Sequence, residues 1–253
     1  MIQIITLCFF AFLAGFIDSI VGGGGLIQLP ALLVTLPEYS VPKLLGTGKI
    51  PSFSGTFMSA IQYARHVQFK WKMLIATSIS SLIASFIGSS LVNYLDSQIL
   101  KPLILVLLVV VAIYTFIKKD LGSLKTKEIN ESKSITYGVI IGFVLGLYDG
   151  FFGPGTGSFL ILAFIMILGF DFLNASAHAK IVNLCTNLSS IIVFGWHGNI
   201  LLQYALPMAV FNLVGSLIGS RMAILRGNTF VRKIFLFVIF LMILRYGYDI
   251  FAS

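Results

Sequence analysis

The chain repeats itself at a fixed offset of 131 residues, and both copies lie in apolar sequence. Asp18 corresponds to Asp149, Gly22 to Gly153, Gly24 to Gly155, Lys49 to Lys180 and His66 to His197. Ser85, Ile87, Gly88 and Ser89 correspond to Ser216, Ile218, Gly219 and Ser220. One offset serves all these identities without an insertion, so two copies of a single structural unit share the chain. Apolar duplications of this kind build membrane folds whose sites lie between the related halves.

Composition places the unit in a bilayer. With 58% hydrophobic and 10% charged residues and a mean hydropathy of +1.00, the chain has too little polar surface to coat a water-soluble globule. A net charge of +8 raises nucleic acid as a partner. The Lys and Arg residues, however, sit in short loops beside apolar runs, as the positive-inside bias requires, and no nucleic-acid partner is expected. Cys8 and Cys185 both fall inside apolar runs and read as two buried thiols rather than a disulfide or a metal cage. The first apolar run has no basic n-region, and its counterpart Ile135 to Leu147 lies mid-chain. It is therefore expected to remain in the mature protein.

Each half reads as four apolar segments. In the first half they run from Ile2 to Leu36, Gly46 to Ala64, Met73 to Leu95 and Ile99 to Ile117. In the second they run from Ile135 to Phe170, Ser176 to Gly195, Leu201 to Ser220 and Phe230 to Leu244. The expected organisation is a first transmembrane repeat over residues 1–117, a polar linker over 118–134 and a second repeat over 135–253. The first segment of each half is 35 or 36 residues long, well beyond the roughly 20 that span a bilayer. Gly22-Gly23-Gly24-Gly25 interrupts one and Gly153-Pro154-Gly155-Thr156-Gly157 the other, so a helix break is expected in each. Such a segment either enters and returns, or crosses once with an unwound middle.

Charge separates these options. If the broken segment returns to its starting side, 12 loop Lys and Arg residues share one side with the linker, and only Lys43, Lys101 and Arg245 lie opposite. If it crosses once, the same residues divide nine against six. Basic loops stay cytoplasmic. The expected fold is thus an all-α polytopic membrane protein of two inverted repeats, each with a Gly-broken first segment. It sits in the cell (inner) membrane with the linker inside and both termini outside.

The candidate chemistry lies at these breaks. Lys49 and Lys180 are ionisable residues near the start of apolar segments, and together they read as an anion site. The alternative is that each forms a fixed ion pair with Asp18 or Asp149, the only other equivalent ionisable pair in apolar sequence. The aspartates are candidates for a proton-coupled step, or for accepting orphan backbone N–H groups at the breaks. Gly22, Gly23, Gly24 and Gly25, with Gly153, Gly155, Thr156 and Gly157, would present backbone N–H groups and helix-dipole ends to an oxyanion. Ser52 and Thr56 follow Lys49 at the offsets at which Asn183 and Asn187 follow Lys180, giving each half a lysine with hydrogen-bond formers on one helix face. Thr47 and His178 precede the two lysines by two residues and complete the candidate substrate set. Glycines such as Gly215 and Gly219 read as helix-packing positions. No serine triad, metal-ligand cluster, cofactor motif or catalytic carboxylate pair stands out, so neither a cofactor nor an enzyme is expected.

These residues also carry a resemblance. Gly15-Phe16-Ile17-Asp18-Ser19-Ile20-Val21-Gly22-Gly23-Gly24-Gly25-Leu26 followed by Gly46-Thr47-Gly48-Lys49, with Gly146-Leu147-Tyr148-Asp149-Gly150-Phe151-Phe152-Gly153-Pro154-Gly155-Thr156-Gly157 followed by Ala179-Lys180, resembles the TauE/SafE sulfite exporter family over essentially the whole chain. The resemblance implies secondary transport of small anions such as sulfite, sulfoacetate and related organosulfur compounds. Alternating access would then move a small anion across the lipid bilayer. An anion channel and a membrane subunit of a larger assembly are the alternatives, and a homo-oligomer is compatible with the chain.

Overall fold

The structure, a computed structural model, describes residues 2–94 and 130–251. The expected segment Ile99 to Ile117, most of the linker, and Met1 and Ser253 lie outside the described residues. Among the described residues there are eight helices and no strand. They are α1 (Ile2–Val21), α2 (Gly25–Thr35), α3 (Val41–Ala64), α4 (Trp71–Tyr94), α5 (Glu131–Phe151), α6 (Thr156–Met166), α7 (Phe172–Trp196) and α8 (Leu202–Phe251).

The duplication reappears in the helix boundaries. α2 and α6 match at both ends after the 131-residue offset, and α7 and α8 begin one offset after α3 and α4. Both long apolar runs break where glycine was expected to break them. Gly22 takes φ 79°, and Gly153 and Gly155 take φ 94° and 86°. A Cβ disfavours such left-handed conformations, and among the described residues only glycines adopt them.

Several helices start earlier than the apolar runs do. Asn130 caps α5 by accepting from Ser132 N at 3.2 Å, and Asp171 caps α7 by accepting from Asn174 N at 2.8 Å. A satisfied N-terminus lets a polar first turn join the helix. Lys180 consequently sits about 12 Å, or two turns, inside α7. Lys49 sits at the same depth in α3, which starts without a side-chain cap but with Pro42 in its first turn. The two segments expected between Leu201 and Leu244 form one continuous helix, α8, since no proline follows Pro207 to remove a backbone donor.

Among the described residues five helices are long and apolar enough to cross a membrane: α1, α4, α5, α7 and the Leu202–Arg226 part of α8. α3 is not among them. Its Gly, Ser, Thr and Lys residues are largely covered by other helices, so it needs no apolar coat. Large apolar side chains such as Ile79 and Phe86 on α4 and Phe143 and Val144 on α5 instead face outward, as a lipid solvent favours.

The spatial bundles differ from the sequence halves. α4 packs along α5 and against α7, while α8 packs along α1 and against α3. One bundle is therefore α1, α2, α3 and α8, the other α4, α5, α6 and α7, each having exchanged its fourth helix. α3 and α7 form the main contact between them. Small residues make the exchange possible. A Cβ on Gly142 or Gly150 would run into the main chain of Thr77 or Ser85, and on α8 one on Gly215 or Gly219 would meet that of Phe12 or Phe16. Equivalent hydroxyl pairs tie the exchanged helices in place: Ser85 Oγ lies 3.0 Å from Ser190 Oγ, and Ser216 Oγ lies 2.5 Å from Ser59 Oγ.

Candidate functional site

The four ionisable residues at the breaks meet as two reciprocal pairs. Lys49 Nζ on α3 donates to Asp149 Oδ2 at 2.8 Å and to Asp149 O at 2.7 Å. Lys180 Nζ on α7 donates to Asp18 Oδ2 at 2.8 Å and to the Asp18 carbonyl. Each lysine thus reaches from one bundle to the helix end of the other. Carbonyls in the last turn of a helix tend to lack intrahelical partners, and Lys49 supplies one to Asp149 O at the end of α5. Asp18 O at the end of α1 already accepts from Gly22 N at 2.8 Å and takes Lys180 as a second donor. Asp18 also accepts from Gly24 N at 3.3 Å, closing the first break on itself.

The two pairs share chemistry but not environment. A cavity of about 50 Å3 lies between the bundles, bordered by Lys49, Asp149, Asp18, Gly153 and Asn183 among others. Since a water needs roughly 10–15 Å3 of such space, this holds a few waters or one compact oxyanion. Lys49 borders the cavity; Lys180, with a side chain only 1% exposed, is not among its lining residues and stands behind Asp18. The carboxylates differ as well, Asp18 being 21% exposed and Asp149 3%.

The cavity gathers much of the candidate set from both halves: Gly22, Gly25, Gly153, Gly155 and Gly157 at the breaks, Ser52 and Thr56 on α3, and Asn183 and Asn187 on α7. Asn187 Nδ2 donates to Asn183 Oδ1 at 2.6 Å, which fixes the two amides as a unit. Gly23, Gly24, Thr156, Thr47 and His178 are not among its lining residues. Thr156 Oγ1 donates to Gly153 O at 2.7 Å, and Thr47 Oγ1 accepts from Leu201 N at 3.0 Å at the start of α8. His178 Nε2 accepts from Lys70 N at 3.1 Å, its Nδ1 bonds Asn174 O at 2.7 Å, and Phe69, Phe164 and Phe170 surround the ring. The described residues contain no group of His, Cys, Asp and Glu that could hold a metal ion.

Comparison with known proteins gives the family. The model of the family described as "Sulfite exporter TauE/SafE" matches residues 7–246. The chain belongs to the TauE/SafE family. It is 33% identical over 239 residues to a "Probable membrane transporter protein" of Haemophilus influenzae, covering 94% of this chain and 92% of that one. It is 33% identical to "Probable membrane transporter protein ORF9" of Sinorhizobium sp, over 90% and 86% of the two chains. With "Probable membrane transporter protein YfcA" of Escherichia coli K12 it shares 31% identity over 96% and 89%. No solved structure matches. Family and helices together make the chain a multi-pass membrane protein of a transporter family.

One lining residue of this TauE/SafE cavity escapes reasoning from symmetry. Gln28 on α2 is buried, donates to Gly48 O at 2.7 Å and accepts from Asn212 Nδ2 at 3.1 Å, which links α2 to α3 and α8. Its counterpart is Phe159, which packs on Tyr148 instead. A search for matched pairs passes over it, although a lone amide in an apolar helix is itself a signal. Gln28→Leu is expected to leave the buried Asn212 amide without this partner and to cost about 2 kcal/mol, read as a lower melting temperature in detergent. An unchanged melting curve would show that α2 is held by packing alone.

Proposed function

We propose that this chain is a secondary transporter of small anions, of the sulfur-oxyanion and organosulfonate class that includes sulfite and sulfoacetate, working by alternating access. The observation that carries the reading is a compact cavity with a lysine on its wall, set between two bundles that touch mainly along α3 and α7. In this reading Lys49 supplies the charge that attracts the anion. Ser52, Thr56, Asn183 and Asn187 supply hydrogen bonds to its oxygens, and N–H groups at the glycine breaks help orient it. Lys180 positions Asp18 and the end of α1. The exchanged bundles are the bodies that rock, because relative motion of the sequence halves would tear α4 from α5 and α8 from α1.

The relatives' names and the sulfite exporter family description support the transport class. The test is uptake of sulfite, sulfoacetate and methanesulfonate into proteoliposomes, where a carrier gives saturating flux and counterflow and a channel gives neither. Linear flux without counterflow would replace the carrier by the anion channel.

The same reading orients the repeats as an inverted pair, with the linker in the cytoplasm and both termini outside, on the 12 to 3 division of basic residues. That arrangement requires the continuous α8 to turn between Ser220 and Phe230 in the bilayer. Single cysteines placed near Met1, Lys125 and Ser253 in a cysteine-free background should label from outside at the ends only. An N-terminus and a linker labelled from the same side would sink the inverted arrangement.

A further inference from the structure

We propose that the cavity carries its anion together with protons, one for each negative charge, and that Asp149 takes the first of them. The proposal rests on the anion reading above and is drawn from charge balance. Lys49, Lys180, Asp18 and Asp149 sum to zero as two closed ion pairs. The helix ends add nothing net, since the negative ends of α1 and α5 meet the positive ends of α2 and α6 at the same breaks. The site is therefore already neutral when empty, and an anion entering it alone would be a buried charge without a partner, which proteins avoid.

A proton on Asp149 removes that mismatch in one step. Its Oδ2 becomes an O–H, the ion pair with Lys49 ends, and the freed ammonium turns its charge toward the anion. Asp149 is assigned the first proton because its lysine borders the cavity, whereas Lys180 is shut behind Asp18. Few other ionisable groups compete for this role. Lys49 on α3 is the partner, and Asp18 on α1 lies across the cavity with Lys180 of α7 behind it. His178 of α7 is directed elsewhere, to Asn174 and Lys70, and Cys185 of α7 is not among the cavity's lining residues. Tyr148 beside Asp149 donates to Pro154 O at 2.7 Å. On α4, Lys72 pairs with Glu131 at the far end of α5, and α2 and α6 carry no titratable side chain. A dianion needs a second proton, for which Asp18 is the remaining carboxylate.

The experiment uses the full chain in proteoliposomes, with methanesulfonate as a permanent monoanion and sulfoacetate as a dianion. Lumen pH and anion accumulation are followed under imposed pH and potential gradients. One pH unit, acidic outside, should accumulate methanesulfonate about tenfold and sulfoacetate about a hundredfold, because each coupled proton contributes one factor of ten. An imposed potential should leave both plateaus unchanged. Asp149→Asn should abolish the pH-driven accumulation and remove the pH dependence of methanesulfonate binding, a readout that a structural role would not move. Accumulation that follows the potential, or a sodium gradient instead of the proton gradient, overturns the proposal. If Asp149→Asn does not fold, the wild-type plateaus decide the question alone. Absence of saturable movement and of binding for both probes would remove the anion reading itself, a failure distinct from electrogenic transport.

Discussion

Asp149→Ala is expected to lower the melting temperature by on the order of ten degrees, because it leaves the Lys49 ammonium buried without its carboxylate. Losing one partner of a buried ion pair costs about 3–5 kcal/mol, whereas replacing both by apolar groups of similar size is often close to neutral. The double variant Lys49→Met/Asp149→Leu should therefore melt near the wild type, and Lys180→Met/Asp18→Leu should do the same for the second pair. The two doubles should then part in ligand protection. Sulfite or methanesulfonate should still raise the melting temperature of the Lys180→Met/Asp18→Leu protein, since Lys49 remains on the cavity wall, and should fail to do so for Lys49→Met/Asp149→Leu. Equal protection in both doubles would remove Lys49 as the anion's ligand. Lys49→Met alone confounds lost charge with a stranded buried carboxylate, which is why the pair has to be changed together.

Gly146→Leu should prevent recovery of monodisperse protein. A Cβ at Gly146 would already stand 2.5 Å from Ser81 O and 2.7 Å from Ser81 Cα, and a leucine would force α4 and α5 apart along their whole contact. Overpacking of this kind costs upwards of about 3 kcal/mol when the obstacle is main chain. Gly195→Ala is the control. Its Cβ would meet only Ile200 Cδ1, at an ordinary 3.7 Å, in a helical position where alanine is favoured over glycine by about 1 kcal/mol. Size-exclusion profiles and melting curves of both variants test this, and normal assembly of Gly146→Leu would contradict the close α4–α5 packing. Gly24 belongs with the packing glycines too. Its Cβ would collide with the Ala14 carbonyl and stand 2.6 Å from Asp18 Cβ, so Gly24→Ala reports on the break's geometry as much as on any ligand. At Gly153 a Cβ would sit 3.2 Å from Lys49 Nζ and would also be strained by the φ of 94°, so a substitution there likewise reports on the break's geometry as well as on the cavity.

Legibility in the sequence followed periodicity and chain length. The 131-residue offset, the two glycine breaks and the all-helical class could all be read directly, because a bilayer demands apolar runs of fixed length and glycine interrupts them visibly. Matched residues such as Lys49 with Lys180 and Ser52 with Asn183 were also legible, since a repeat shows its equivalent positions. By contrast, Gln28 has no matched partner, and His178, which looks like a neighbour of Lys180 along the chain, is turned into an aromatic cluster.

The sequence by itself determined that this is a duplicated membrane protein with charged groups placed at two helix breaks. Tertiary structure decided how the copies interlock: that Lys49 meets Asp149 and Lys180 meets Asp18, that the fourth helices change partners, and that Lys49 rather than Lys180 borders the cavity. The physical reason is that helix identity and breakage are local properties, set within a few residues by hydropathy and by the absence of a Cβ. Pairing and exposure arise between segments distant in the chain, 100 residues apart for Lys49 and Asp149 and 162 for Lys180 and Asp18, where small residues allow backbones to meet and the choice of neighbour leaves no periodic trace in the chain.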